Sequence, residues 1–153
     1  MPRPRPISAG ILAFRRKKEL EVLLAHPGGP LWSKKDAGAW TIPKGSVEVA
    51  DDIVAAARRE FTEETGLLAN GAMLELTPVQ QKSGKLVHAF ALEADFDLGQ
   101  FASNTFELEW PPRSGRRQNF PEIDRIDYFT LPAAKLKIIA YQLPLLCELE
   151  KRV

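Results

Sequence analysis

The sequence predicts a mixed α/β domain organised around one acid-rich helix. Three observations predict it. A helical pattern starts after Asp51-Asp52 and stops at Gly66, the residue type that most readily ends a helix in a left-handed conformation. Short apolar runs of strand length lie before it, at 7–14 and 20–25, and after it, at 85–94 and 123–131. A second helix-length stretch follows Pro132, where proline's fixed φ suits the first turn. The chain of 153 residues suits one domain.

Composition excludes several classes. With 44% hydrophobic residues the chain can bury a sizeable core. Its 21 basic and 20 acidic residues give a net charge of +1, which argues neither for a nucleic-acid binder nor for an acidic tail. Cys147 is the only cysteine, so no intrachain disulfide can form, and a reducing, cytoplasmic location is expected. The opening MPRPRPI lacks the apolar core of a signal peptide, and no run reaches membrane-spanning length.

In chain order, residues 1–6 alternate proline and arginine and are expected to trail as a flexible arm, with contact to polyphosphate or RNA as the alternative. Residues 7–14 read as a buried strand, Arg15-Arg16-Lys17-Lys18 as a solvated turn, and 20–25 as the returning strand of a hairpin. Pro27-Gly28-Gly29-Pro30 ends it. A loop over 31–39 carries Trp32, Lys34, Lys35 and Asp36, and Trp40-Thr41-Ile42 reads as a short strand entering Pro43-Lys44-Gly45.

The helix itself carries two stripes. Val54, Ala57 and Phe61 fall at i, i+3, i+7 and face a core, while Glu60, Glu63 and Glu64 fall at i, i+3, i+4 beside them. Three carboxylates on one face repel unless positive charge sits among them. Arg59, one turn before Glu63, supplies one charge, and a hard divalent cation such as Mg²⁺ would supply the rest. A solvated acidic face is the plainer alternative.

Beyond the helix, Asn70-Gly71 is a turn, and runs at 72–81 and 85–94 flank Ser83-Gly84 as a second hairpin. His88 lies in the second run, as a hydrogen-bonded structural histidine or as a catalytic one. Residues 97–121 read as a long loop whose second half Pro111-Pro112 and Gly115 keep irregular. It holds Phe101, Phe106, Trp110 and Phe120 beside Arg113, Arg116 and Arg117. Aromatic rings and guanidinium forks suit the base and phosphates of a nucleotide; aromatics that merely pin the loop are the alternative. Residues 123–131 read as the closing strand and 133–142 as a helix, with Pro144 breaking the chain before 145–151. No repeat divides the chain, so 7–153 is expected to be a single domain.

The stretch from Gly45 to Leu67, GSVEVADDIVAAARREFTEETGL, resembles the Nudix box: a glycine, five residues, a glutamate, seven residues, then Arg-Glu-apolar-any-Glu-Glu-any-Gly-apolar. One position departs, with Asp51 where the box has glutamate. The resemblance spans roughly residues 7–131 and implies an α/β/α sandwich in which a curved mixed sheet lies between helices. It implies a hydrolase of phosphorus-containing acid anhydrides, acting with Mg²⁺ or Mn²⁺ on a nucleoside diphosphate linked to another group. Glu60, Glu63, Glu64 and the Gly45 carbonyl are the implied metal ligands, with Arg59 orienting the carboxylates, and Lys44 is a candidate phosphate contact. Family members differ in their further catalytic carboxylate; Glu122, just before the closing strand, holds a matching place, with Glu107 and Glu109 as alternatives. Phe106, Trp110, Arg113 and Arg116 are the expected substrate contacts. More finely, PGGP, WTIPKG and FELEWPP look like a bacterial Nudix branch similar to bis(5′-nucleosyl)-tetraphosphatases, which makes dinucleoside polyphosphates the expected substrate. Nucleoside triphosphates, ADP-ribose, RNA 5′ ends and a non-catalytic nucleotide-binding module are the alternatives.

Overall fold

The computed structural model describes residues 7–48 and 51–153. The expected arm at 1–6 lies outside them. The element order is β1 (Ile7–Arg16), β2 (Leu20–Pro27), β3 (Lys44–Val47), α1 (Ile53–Thr65), β4 (Met73–Glu75), β5 (Val79–Gln80), β6 (Leu86–Glu93), β7 (Thr105–Glu109), β8 (Arg117–Pro121), β9 (Ile123–Thr130), α2 (Leu131–Lys137) and α3 (Leu143–Arg152).

Seven strands form one mixed sheet in the order β4-β6-β1-β2-β9, with β3 also on β1 and β5 also on β6. Strand β6 runs parallel to β1 over its full length, from Ile7 to Phe14 of β1, and the other pairs are antiparallel. One edge of β1 is shared: its first half pairs with β3 (Ala9 opposite Gly45) and its end pairs with β2 (Phe14 opposite Val22).

Strand alternation sets the layers. Ala9, Ile11 and Ala13 of β1 pack with Leu23, Ala25, Ala57 and Phe61 under α1. Leu12 and Phe14 face the other way, with Val22, Leu24, Ala134, Leu145, Leu146 and Leu149 under α2 and α3. The result is the expected α/β/α sandwich. Each fully buried Leu or Phe contributes roughly 1.5–3 kcal/mol to holding these layers.

Helix α1 keeps the ends its sequence announces. The Asp52 side chain accepts from the Val54 and Ala55 N–H groups, and Gly66, at φ 74°, closes the helix by donating to the Thr62 carbonyl. Several expectations change. Trp40-Thr41-Ile42 makes only isolated bridges, Thr41 to Ala25 and Trp40 to Ile138, and the strand begins after Pro43, at Lys44. Arg15 and Arg16 belong to β1, because Arg15 is held by Glu21 and Asp95. The run at 72–81 splits into β4 and β5 around Pro78, which has no N–H for the ladder.

The fourth change is the largest. The 97–121 segment is not an irregular loop. It holds a 3-10 turn at Leu98–Gln100 and then the β7–β8 hairpin, a separate two-stranded sheet. Pro111-Pro112 and Gly115 are confined to its turn. Near the C-terminus the helix expected over 133–142 ends at Lys137, a 3-10 turn spans Ala140–Gln142, and Pro144 sits in the first turn of α3. His88 is half-buried on β6 opposite Ala9, and its side chain makes no hydrogen bond among the described residues, so the hydrogen-bonded structural role expected for it is not seen. No helix among the described residues is long and apolar enough to cross a membrane.

Candidate active site

Glu60 and Glu64 lie one turn apart on α1 and turn toward β3, whereas Glu63 stays exposed. The Glu64 Oε2 accepts a hydrogen bond from the Lys44 backbone N–H at 2.8 Å. Glu60 lies directly on Gly45: a Cβ there would come within 1.9 Å of Glu60 Oε2, so only glycine admits the carboxylate. Arg59 reaches Asp51 at 3.6 Å and both Glu60 and Glu63 at 3.9 Å. It therefore neutralises three carboxylates loosely without binding any one tightly. Asp51, the departure from the box, still faces Arg59 and also accepts from the Glu48 N–H. Asp52 is occupied as the helix cap.

The carboxylates share one field. Burial pushes Glu64 up to about 8, with Glu60 and Glu122 adding to the rise and the Lys44 N–H and side chain opposing it. Glu60 is raised by burial first and by Glu63 next, against the pull of Arg59. The Lys44 ammonium is lowered by burial despite Glu64 and Glu122 nearby, and Lys85 lowers it further. Four residues from four separate segments of the chain thus meet electrostatically: Glu64 of α1, Lys44 of β3, Lys85 just before β6 and Glu122 between β8 and β9. Perturbation of this kind marks functional sites.

A cavity of about 270 Å³ opens at this meeting point, lined by Lys44, Glu64 and Glu122 with Trp32, Gln81 and Tyr141. A second hollow of about 220 Å³ adjoins it through Pro27, Trp32 and Glu122, and continues between the Pro27–Pro30 turn and Phe106 and Leu108. The Glu122 main chain is fixed on both sides: its carbonyl accepts from Gly28 and its N–H donates to the Asn104 carbonyl, each at 2.9 Å.

Of the expected substrate contacts, Lys44 and Phe106 line these hollows. Trp110, Arg113 and Arg116 do not; they sit at the far turn of the β7–β8 hairpin, roughly 13–17 Å along it from its base. Glu107 and Glu109 alternate with Phe106 and Leu108 and point to the opposite face, Glu107 toward Arg117 at 2.9 Å. Of the three candidate bases, Glu122 is the one that faces Glu64. Sequence reasoning missed Lys85, Gln81 and Tyr141, which reach the site from distant segments. It also missed His26, fully buried, whose ring bridges Asp124 and the Lys35 carbonyl and ties the 31–39 loop to β9.

Among the described residues no three acidic or histidine side chains are already gathered about one point. The donor chemistry nonetheless fits a hard cation: Glu60 and Glu64 offer carboxylate oxygens across the notch at Gly45, and Glu63 lies one turn from Glu60.

The model of the NUDIX domain matches residues 4–148. The chain belongs to the NUDIX family. Among solved structures, this NUDIX chain resembles the NUDIX domain of Shewanella oneidensis NrtR complexed with ADP ribose. That match has a TM-score of 0.66 at 12% identity and covers 98% of this chain and 89% of that one. It also resembles a C. elegans Ap4A hydrolase, with a TM-score of 0.63 at 22% identity over 94% and 96% of the two chains. Both likenesses establish the fold. Curated RNA pyrophosphohydrolases from two strains of Caulobacter vibrioides are 36% identical over 58 residues, which is 35% of this chain and 34% of theirs. The NUDIX chain thus spans about a third of the length of the curated relatives it matches.

Proposed function

We propose that this NUDIX chain is a Mg²⁺- or Mn²⁺-dependent pyrophosphohydrolase in the cytoplasm, acting as one domain over residues 7–153. Its proposed substrates are nucleoside diphosphates linked to another group, with dinucleoside polyphosphates such as diadenosine tetraphosphate as the preferred class. The hydrolase class rests on the family. The observation that carries the rest is the cavity in which Glu64, Lys44 and Glu122 converge beside the hollow at Trp32 and Phe106.

Glu60, Glu63, Glu64 and the Gly45 carbonyl would hold the cation, whose contribution is to neutralise phosphate oxygens and acidify water. Arg59 orients Glu60 and Glu63 from its position between them and Asp51, while Glu64 is held by the Lys44 N–H. Lys44, part-buried in the cavity wall, places a positive charge against a phosphate. Glu122 accepts the proton of the attacking water as its oxygen bonds to phosphorus. The anhydride P–O bond breaks, and its electron pair leaves with the departing phosphate. Trp32 and Phe106 flank the nucleoside.

A panel of diadenosine tetraphosphate, nucleoside triphosphates, ADP-ribose and 5′-triphosphorylated RNA, incubated with Mg²⁺ and scored by product, tests the proposal. Cleavage of diadenosine tetraphosphate with the highest kcat/KM is expected. The second reading is removal of pyrophosphate from RNA 5′ ends, favoured by the names of the Caulobacter relatives. Preference for RNA in the same panel would select it, and no cleavage of any member with either metal would reject both.

A further inference from the structure

A third and larger hollow, of about 540 Å³, lies where the 81–84 turn faces the 138–141 segment. Its size falls within the roughly 300–1,000 Å³ of small-molecule sites. Ile138, Ile139, Ala140 and Tyr141 form one wall, with Gln81 and Ser83 across from them. Gln81, Ile139 and Tyr141 also line the cavity of Glu64 and Glu122, so the two spaces meet at these three side chains. This hollow shares no lining residue with the one at Phe106. The carboxylate centre therefore opens by separate routes into two spaces, each with apolar walls.

The dividing ring is built in. Tyr141 is half-buried, and its hydroxyl accepts from Gln142 Nε2 at 2.8 Å. Gln142 is fully buried, and its Oε1 accepts from the Ile42 N–H at 2.9 Å. The ring is thus fixed to the segment that runs into Lys44. Lys82 lines the same hollow; it is exposed and makes no ion pair among the described residues.

A ligand with one organic end and a phosphate chain would fill only one of the two spaces. We propose that the hollow at Tyr141 is a second nucleoside subsite, which seats the distal end of a substrate carrying an organic group at each end of its phosphate chain. The inference rests on the pyrophosphohydrolase reading and adds the residues that receive the distal group. Tyr141 and Ile139 offer a flat apolar face to a base, while Lys82, Ser83 and Gln81 offer hydrogen bonds to ribose and outer phosphates. Stacking of a base on an aromatic ring contributes roughly tenfold or more in affinity.

The test compares diadenosine tetraphosphate with adenosine tetraphosphate, which has the same phosphate chain and lacks the second nucleoside. Rates with Mg²⁺ are measured for the wild type and for Ala140→Trp and Ser83→Trp, which fill the hollow from opposite walls. Circular dichroism and thermal melting verify folding. The wild type is expected to prefer the two-ended nucleotide by about tenfold in kcat/KM. Each folded variant should bring that ratio near one through a raised KM for the two-ended nucleotide. A ratio near one in the wild type, or a ratio unchanged in both variants, overturns the subsite. If the wild type cleaves neither nucleotide, the dinucleoside polyphosphate reading is what fails. The subsite is then decided by calorimetric binding of the two nucleotides to the same proteins, where equal affinities overturn it.

Discussion

The Glu64 carboxylate accepts a hydrogen bond from the Lys44 backbone N–H at 2.8 Å, so α1 and β3 are joined at the point where their charges meet. The bond offsets only part of the cost of burying Glu64 near Glu60 and Glu122, and its carboxyl remains up at about 8. Between the usual carboxylate value and about 8, the folded protein holds a proton that the unfolded chain has lost. The stability tied to Glu64 is therefore complete below the unfolded value and declines as pH rises through about 8.

Glu64→Gln removes that dependence while keeping shape and the contact to Lys44. In EDTA, the Tm of the variant relative to wild type should climb by a few degrees between about pH 5 and about pH 9. With Mg²⁺ the variant should lose most turnover. A Tm difference that stays constant across this range refutes the burial argument, and near-normal kcat at saturating Mg²⁺ refutes the ligand role.

Glu122→Gln should lower kcat by roughly 10²–10⁴ with little change in nucleotide affinity. Its main-chain bonds to Gly28 and Asn104 remain, so the backbone at this position should stay in place. Single-turnover rates with calorimetric affinities measure the two separately. A raised Kd with an unchanged rate would make Glu122 a binding group.

Gly45→Ala places a methyl where Glu60 Oε2 lies, at 1.9 Å. The end of a glutamate side chain can swing away, so the fold should survive with a slightly lowered Tm. The displaced carboxylate should reduce kcat about 10²-fold. An unchanged kcat would show that the position of Glu60 does not matter to the chemistry.

Phe106→Ala should raise KM roughly tenfold, because Phe106 walls the hollow beside Glu122. Trp110→Ala should leave KM unchanged, since Trp110 sits at the far turn of its hairpin. Steady-state kinetics on diadenosine tetraphosphate check both, and the reverse order would place the nucleoside at the hairpin's far end.

Helix α1 was legible because its signals are local: the cap at Asp52, the stop at Gly66 and the carboxylate stripe all lie within one segment. The β1–β2 hairpin was legible for the same reason, although Arg15 and Arg16 extend it by pairing with Glu21 and Glu93 across strands. The β7–β8 hairpin was hidden. Phe106 and Leu108 do alternate with polar residues, but Pro111-Pro112 and Gly115 look disruptive over a wider span than the turn they form. Trp40-Thr41-Ile42 looks like a strand, yet which neighbour supplies its hydrogen bonds is a tertiary matter, and it finds only bridges. Within the site, Glu60 and Glu64 could be found from the box, and Lys44 from its place just before it. Lys85, Gln81 and Tyr141 could not, because only the folding of β6 and the α2–α3 connection brings them there.

The β7–β8 hairpin is a sheet of its own, and its return strand meets the rest of the molecule at Glu122, whose N–H and carbonyl are engaged by Asn104 and Gly28. Main-chain bonds survive almost any change of side chain. Mutations can therefore accumulate through the hairpin, reshaping the wall that Phe106 and Leu108 present, while the carboxylate beyond it keeps its aim. On the roles proposed for Phe106 and Glu122, such a layout separates what the enzyme selects from what it does to it. A lineage can explore new nucleotides by diversifying one exposed ribbon, and a designer can graft ribbons from other members of the family for the same purpose.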